Sequence, residues 1–349
     1  MFAQPGSDTA VLLANPDNQV FDLPILVLNV HSRCNCRCVM CDIWKREENT
    51  EIKVRDLERH RESLQRLSVR WVVLSGGEPL LHTDLQSLCT FFRGLNIHLT
   101  LLTTGLLLIK RASDVAELFD EVIISIDGPA EVHDAIRRVK GAFQLVVSGI
   151  AAIRHLRRTM PITGRTTVQR ANHCHLQETV AIAKAIELDS ISFLAADLTS
   201  EAFNRPLLWP LERQNEVGLR EDEVRDLSDE IEQLITNYGR EIQTGYIAES
   251  ASKLRRIVAH FDAHLGECKH KSPVCNAPWV SAVIEADGSV RPCFFHRVVG
   301  SIHQTALEDV VNGESARAFR KSLNIAENPI CQQCVCSLYH RKTMRFPCI

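Results

Sequence analysis

The chain has 349 residues, of which 45% are hydrophobic and 24% charged, with a formal net charge of −3 and a pI near 6.5. That balance supports a sizeable packed core and excludes wholesale disorder, a basic nucleic-acid footprint and a polybasic membrane patch. No apolar run reaches the ~18 residues of a membrane span, and the first residues lack the basic start and apolar centre of a secretory signal. A cytoplasmic location is therefore expected, with neither nucleic acid nor membrane as partner. In a reducing compartment the 13 cysteines point to metal ligation or catalysis rather than to disulfides.

Residues 1–23 read as an N-terminal extension. Apolar, β-branched runs then follow at Ile25–His31, Trp71–Ser75, Ile97–Thr103, Glu121–Ile126, Pro161–Val168 and Ser190–Ala195. Between and after them, apolar residues take helical spacing over Val54–Leu67, Leu85–Leu95, Ala112–Phe119, Phe143–Leu156, Leu176–Leu188 and Glu221–Tyr238. Strict strand–helix alternation predicts an α/β fold with a parallel sheet and crossover helices. Six units fall short of a closed eightfold barrel, so a partial (β/α)6 TIM-like barrel over residues 24–246 is predicted, a doubly wound sheet being the alternative. Either arrangement gathers functional groups at the carboxyl ends of the strands. The alternation stops near Tyr238, and residues 247–349 are predicted to form a small cysteine-rich module. A hairpin is signalled there by Asp287-Gly288 between Val280–Glu285 and Val290–Pro292.

The densest chemistry directly follows the first predicted strand, in His31-Ser-Arg-Cys34-Asn-Cys36-Arg-Cys38-Val-Met40-Cys41-Asp42. Cys34, Cys38 and Cys41 have the spacing C-x3-C-x2-C. Three thiolates on one short loop can grip three irons of a cubane cluster and leave the fourth iron open, as a catalytic site requires. A zinc knot or a group of structural thiols is the other reading of these residues alone. Cys36 falls between ligand positions and reads as a bystander.

This triplet resembles the cluster-binding motif of the radical S-adenosylmethionine (SAM) superfamily, and further matches stand at the following strand ends. Ser75-Gly76-Gly77-Glu78-Pro79 resembles that family's glycine-rich segment, which contacts the methionine amino group of SAM. Thr103-Thr104-Gly105 resembles its Thr-Asn-Gly turn, with Thr104 where asparagine is common. Ser125-Ile126-Asp127-Gly128 resembles the element that binds the ribose and carboxylate of SAM. His133-Asp134 with Arg137 resembles a stretch found in relatives with cysteine-rich extensions, and an arginine there can pair bidentately with a carboxylate; Arg138 is an equal candidate. Met40 stands where the family usually has an aromatic residue against the adenine, and its thioether can pack on a ring. The resemblance implies a [4Fe–4S] cluster with an open iron site, SAM, and the cofactor-binding residues Met40, Gly76, Gly77, Glu78, Pro79, Thr104, Ser125, Asp127 and Arg137.

In the C-terminal module, Cys275 and Cys293 flank the hairpin, and Cys331 and Cys334 form a C-x2-C pair. Four thiolates suffice for a cluster or for zinc. The pattern resembles the twitch domain, a shortened SPASM domain, which implies one auxiliary [4Fe–4S] cluster. Cys268, Cys336 and Cys348 remain unassigned. His173-Cys174-His175 has the look of a metal trio, but at a helix start it reads as polar surface.

By resemblance, the chain is expected to cleave SAM reductively to a 5′-deoxyadenosyl radical and to take a hydrogen atom from its substrate. An auxiliary cluster fits an electron acceptor, so oxidation of a small molecule is expected, with electrons from a flavodoxin- or ferredoxin-type donor. Maturation of a ribosomally made peptide is the runner-up. Only some 23 residues precede the first strand, so the usual peptide-recognition domain is expected to be absent. Relatives that mature sulfatases place an acidic base after the hairpin cysteine, where this chain has Phe294. A non-enzymatic zinc or iron–sulfur interaction protein is the remaining alternative; it leaves the glycine segment and the open loop without a ligand.

Overall fold

The computed structural model describes residues 17–340, Pro206 excepted. Its first six strands are β1 (Ile25–His31), β2 (Trp71–Gly76), β3 (His98–Thr103), β4 (Glu121–Ser125), β5 (Ile162–Val168) and β6 (Ser190–Ala195). They pair in parallel and in chain order. Consecutive order leaves no point at which the winding reverses, so the doubly wound alternative is excluded and the partial barrel stands.

All seven residues of β1 are buried, as in a parallel strand covered on both faces. In β5 burial alternates: Ile162 and Val168 join the outer core, while Arg165 and Thr167 turn to the interior cavity. The helices Leu85–Arg93, Leu108–Leu118 and Ala142–Leu156 pack Leu88, Phe92, Val115 and Ile153 into that core. Each such side chain contributes about 2 kcal/mol of burial.

One predicted helix is divided. Residues Val54–Leu67 form two helices, Val54–Glu58 and Arg61–Arg66. The break falls at His60, whose Nε2 lies 2.9 Å from the Ile302 carbonyl and whose Nδ1 accepts from the Leu307 amide at 3.1 Å. Those partners come from the far end of the chain, so helical spacing holds no trace of them. The helix Ala130–Arg137 was not predicted either, although it delivers Arg137.

Beyond the helix Ala251–Leu265, the predicted hairpin consists of β7 (Ser281–Ile284) and β8 (Ser289–Arg291). Gly288 supplies the positive φ of +79° that its turn needs. β9 (Gly300–Ser301) pairs antiparallel with β8. β7 lies parallel against the free edge of β1, with Ile25 opposite Ser281 and Leu28 opposite Ile284. The cysteine-rich residues thereby extend the barrel sheet to nine strands, ordered β6-β5-β4-β3-β2-β1-β7-β8-β9. No described helix is long and apolar enough to cross a membrane.

Candidate active site

The cysteine loop leaves β1 at His31 and lies directly on the turn that ends β2. The Gly77 amide donates to the His31 carbonyl and the Glu78 amide to the Arg33 carbonyl, both at 2.8 Å. A Cβ on Gly76 would stand 2.7 Å from the His31 oxygen, and one on Gly77 would stand 1.9 Å from the Arg33 oxygen. Backbone therefore rests on backbone, which only glycine allows. On its other side the loop is strapped to the end of the Ala130–Arg137 helix: Arg37 N donates to Arg137 O at 3.2 Å and Val39 N to Ile136 O at 3.0 Å.

Cys34, Cys38 and Cys41 open together onto a cavity of about 410 Å³ inside the barrel, and Met40, Gly76, Gly77, Thr104, Ser125 and Arg137 also line it. Three residues expected among the cofactor contacts, Glu78, Pro79 and Asp127, are not among those lining this cavity. Glu78 is fully buried, and its carboxylate accepts from the Thr103 hydroxyl (2.8 Å), the Thr104 amide (2.8 Å), the Thr104 hydroxyl (2.7 Å) and the Leu80 amide (3.0 Å). It ties the second turn to the third and shapes the site through Thr104. Burial pushes its carboxyl above the ordinary range. Pro79, also buried, starts the short turn over which Glu78 folds back. Asp127 is fully buried as well, and its Oδ2 accepts from Arg137 Nε at 2.6 Å.

Asp127 thus positions Arg137, whose Nη1 reaches 3.6 Å from Cys38 Sγ. Burial opposes the guanidinium charge, but Asp127 and Cys38 outweigh it and push the arginine up. His133 is held neutral by burial, its pKa lowered to about 4. Its Nδ1 accepts from the Asp127 amide at 3.2 Å. The Cys36 thiol is buried between its neighbours, hydrogen bonds to Cys34 and Cys38 pushing it up. Cys38 moves the other way, drawn below an ordinary thiol by Cys36 and by Arg137. Burial pushes Cys41 up to about 12.

Several cavity residues escaped the sequence reading. Arg205 is buried and donates to Asp197 Oδ2 at 2.7 Å and to the Met40 carbonyl at 2.9 Å. Its guanidinium lies 3.6 Å from the Trp209 ring centre, and Trp209 Nε1 donates to Asp42 Oδ2 at 2.7 Å. This network clamps the outer end of the cysteine loop, from a segment that carries no periodic signal. Glu285 and Arg291 pair across the hairpin at 3.1 Å, and Asn29 Nδ2 donates to Glu285 at 2.9 Å. Arg165 could have been found, being a charge at an inward position of a strand that alternates.

Cys275, Cys293, Cys331 and Cys334 meet around a small cavity of about 60 Å³, together with Cys336, which adjoins the main cavity too. Burial pushes Cys293 up to about 11 and Cys331 up to about 12. These thiols keep their protons at neutral pH unless a metal displaces them. Asn276 and His340 exchange backbone-to-side-chain bonds at 2.8 and 2.9 Å, which clamps the segment after Cys336 beside Cys275. Phe294 faces Phe203 at 6.4 Å between ring centres, so no carboxylate stands after the hairpin cysteine. Cys268 is exposed, and Cys348 lies outside the described residues. Of the His173-Cys174-His175 trio, His173 and Cys174 join Asp226 in a group with ligand atoms within 4.8 Å. His175 turns instead to Glu178 at 3.1 Å.

At the outer edge of the sheet a second cavity, of about 390 Å³, opens beside β6. On its wall the Glu249 carboxylate accepts from the Phe193 amide at 2.8 Å, and burial pushes its pKa up to about 7. A carboxyl raised in the folded state contributes stability that is full below its unfolded value near 4.5 and is lost as pH rises through about 7. Glu249→Gln should therefore be more stable than the parent at pH 8, by about 3 kcal/mol. The gap should close near pH 4.5; thermal unfolding at the two pH values measures it, and a gap that widens on acidification would refute the assignment.

The family described as the radical SAM superfamily matches residues 28–182. The iron–sulfur cluster-binding domain SPASM matches residues 275–335. The chain is similar to pre-heme d1 synthase of Dinoroseobacter shibae, 36% identical over 162 residues, covering 44% of this chain and 39% of that protein. It is also similar to PqqA peptide cyclase of Ruegeria pomeroyi, 25% identical over 329 residues, covering 89% of this chain and 79% of that one. The fold resembles that of SuiB from Streptococcus suis, solved with its precursor peptide SuiA, with a TM-score of 0.65 and 16% identity over 95% of this chain and 75% of SuiB. The chain spans between a third and a half of the length of the first curated relatives it matches.

Proposed function

The chain belongs to the radical SAM superfamily and carries a C-terminal SPASM domain, and from that membership we propose that it oxidises a small molecule by hydrogen-atom abstraction. The observation that carries this reading is the opening of Cys34, Cys38 and Cys41 onto one cavity with Gly76, Gly77, Thr104, Ser125 and Arg137. The donor set fits the implied cluster: three thiols on one loop, held from both sides, with room inside the barrel for a ligand on the fourth iron. When bound, the reduced cluster and SAM together supply a 5′-deoxyadenosyl radical that removes a hydrogen atom from substrate.

The chain's own residues bind, orient and shield. Cys34, Cys38 and Cys41 hold the cluster. Arg137, kept charged by Asp127, offers its terminal nitrogens to the SAM carboxylate. Met40, Gly76, Gly77, Thr104 and Ser125 line the remaining contacts, while the Arg205–Trp209 clamp keeps the loop closed against water. Cys275, Cys293, Cys331 and Cys334 would hold the auxiliary cluster, which would supply an acceptor for the electron left on the substrate after its hydrogen atom is removed. A flavodoxin- or ferredoxin-type protein would supply the separate electron that reductive cleavage of SAM consumes. The relation to pre-heme d1 synthase supports a small-molecule substrate, a tetrapyrrole among the candidates. The match to PqqA peptide cyclase over most of both chains favours a second reading, peptide maturation.

Anaerobic reconstitution should load about eight irons, as two four-iron clusters require. Dithionite and SAM should then yield 5′-deoxyadenosine. Stoichiometric zinc with negligible iron would overturn the proposal.

A further inference from the structure

The cavity beside β6 has a composition unlike that of the rest of the molecule. Arg165, Lys253, Arg256 and Lys271 line it, against the single carboxylate of Glu249. Arg255 also borders it but is spent on Glu232, at 2.6 and 2.7 Å. Neither lysine has an ion-pair partner among the described residues. Arg165 uses Nε on Ser192 Oγ at 3.2 Å, and Arg256 uses one terminal nitrogen on the Cys334 carbonyl at 2.9 Å. Burial pushes Glu249 up to about 7, so at neutral pH it carries about half a charge against the four cations. Cations gathered on the walls of a concave, partly buried site repel one another and focus a positive potential into it. Such an arrangement is relieved when an anion enters.

The position of this cavity is as telling as its charge. Arg165, Leu194, Ala195, Val335 and Cys336 line both it and the main cavity onto which the cysteine loop opens. Cys334 and Cys336 in turn border the thiols of the C-terminal centre. A molecule seated in both chambers would have one end among the cations and the other inside the barrel.

We propose that this basic chamber is the recognition site for the anionic end of the substrate, which carries carboxylate or phosphate groups. The inference rests on the functional reading above and adds the substrate's charge to it. Arginine forks and lysine ammonium groups bind both anions, the forks in bidentate fashion. The reacting carbon then lies on the far side of Arg165, in the barrel, at a distance set by the length of the substrate.

The test uses reconstituted, SAM-loaded protein titrated calorimetrically with tricarballylate, a tricarboxylate, and separately with inorganic phosphate. At least one should bind with unit stoichiometry, and the tighter of the two identifies the anion. Lys253→Glu with Lys271→Glu should weaken binding roughly tenfold or more, whereas Lys253→Arg with Lys271→Arg should retain it. Both lysines are exposed, so neither pair threatens folding. Absence of binding by both probes, or equal binding by the reversed-charge variant, would overturn the proposal. Formation of 5′-deoxyadenosine by the same preparation is read independently: its absence would defeat the functional reading whatever the anions do.

Discussion

Cys34→Ala, Cys38→Ala and Cys41→Ala combined should abolish 5′-deoxyadenosine formation and remove the cluster with it. All three thiols open onto the barrel cavity, and their loop has only one other, Cys36, which is 1% exposed and packed between Cys34 and Cys38. A single remaining thiol cannot hold a cubane. Folding should survive, because the loop is anchored by its backbone: Gly77 and Glu78 donate to it from the turn after β2, and Arg37 and Val39 donate to the Ala130–Arg137 helix. None of these bonds involves a thiol. Cys36→Ala is the matched control and should keep its iron. Product formation by the triple variant would refute the ligand assignment, as would loss of the cluster in Cys36→Ala alone.

Cys275→Ala combined with Cys331→Ala and Cys336→Ala should take the iron content from about eight to about four while 5′-deoxyadenosine still forms. Their cavity is built from the hairpin and the segment around Cys331–Cys336, held by the Asn276–His340 clamp, and none of the loop cysteines lines it. Loss of this centre should therefore leave reductive cleavage of SAM in place and stop oxidation of the substrate. Cys336 is the complication the structure adds, a fifth thiol on the same small cavity. Three thiols suffice for a cubane, as the reading of the barrel loop requires, so Cys336 is replaced along with the pair, which leaves only Cys293 and Cys334. An unchanged iron content would reject the second centre. Loss of all iron would show that the two centres are not independent.

Much of this architecture was legible beforehand because it is written in local pattern. A parallel strand buried on both faces must be continuously apolar, so β1 and β6 could be placed at their true limits. The chemistry sat at strand ends because a parallel barrel has no other place for it. Where the sequence reading missed, a distant partner had intervened. His60 breaks a helix because Ile302 and Leu307 engage its ring. Glu78 and Asp127, expected among the cofactor contacts, turn their carboxylates to Thr103, Thr104 and Arg137 and do not line the cavity onto which the cysteines open. A motif marks a neighbourhood; which side chain touches the ligand and which holds its neighbour depends on rotamer and burial.

The sequence by itself determined the alternation of strands and helices, the three-cysteine loop and the four-cysteine pattern of the C-terminal module, since spacing along the chain encodes each of these. Only the tertiary structure decided what stands around them. It placed β7 on the open edge of β1, brought Arg205 onto the cysteine loop, and set Arg165, Lys253, Arg256 and Lys271 around one chamber. These juxtapositions join residues far apart in the chain, and a pairing across a fold leaves no periodicity in a single strand or helix to be read.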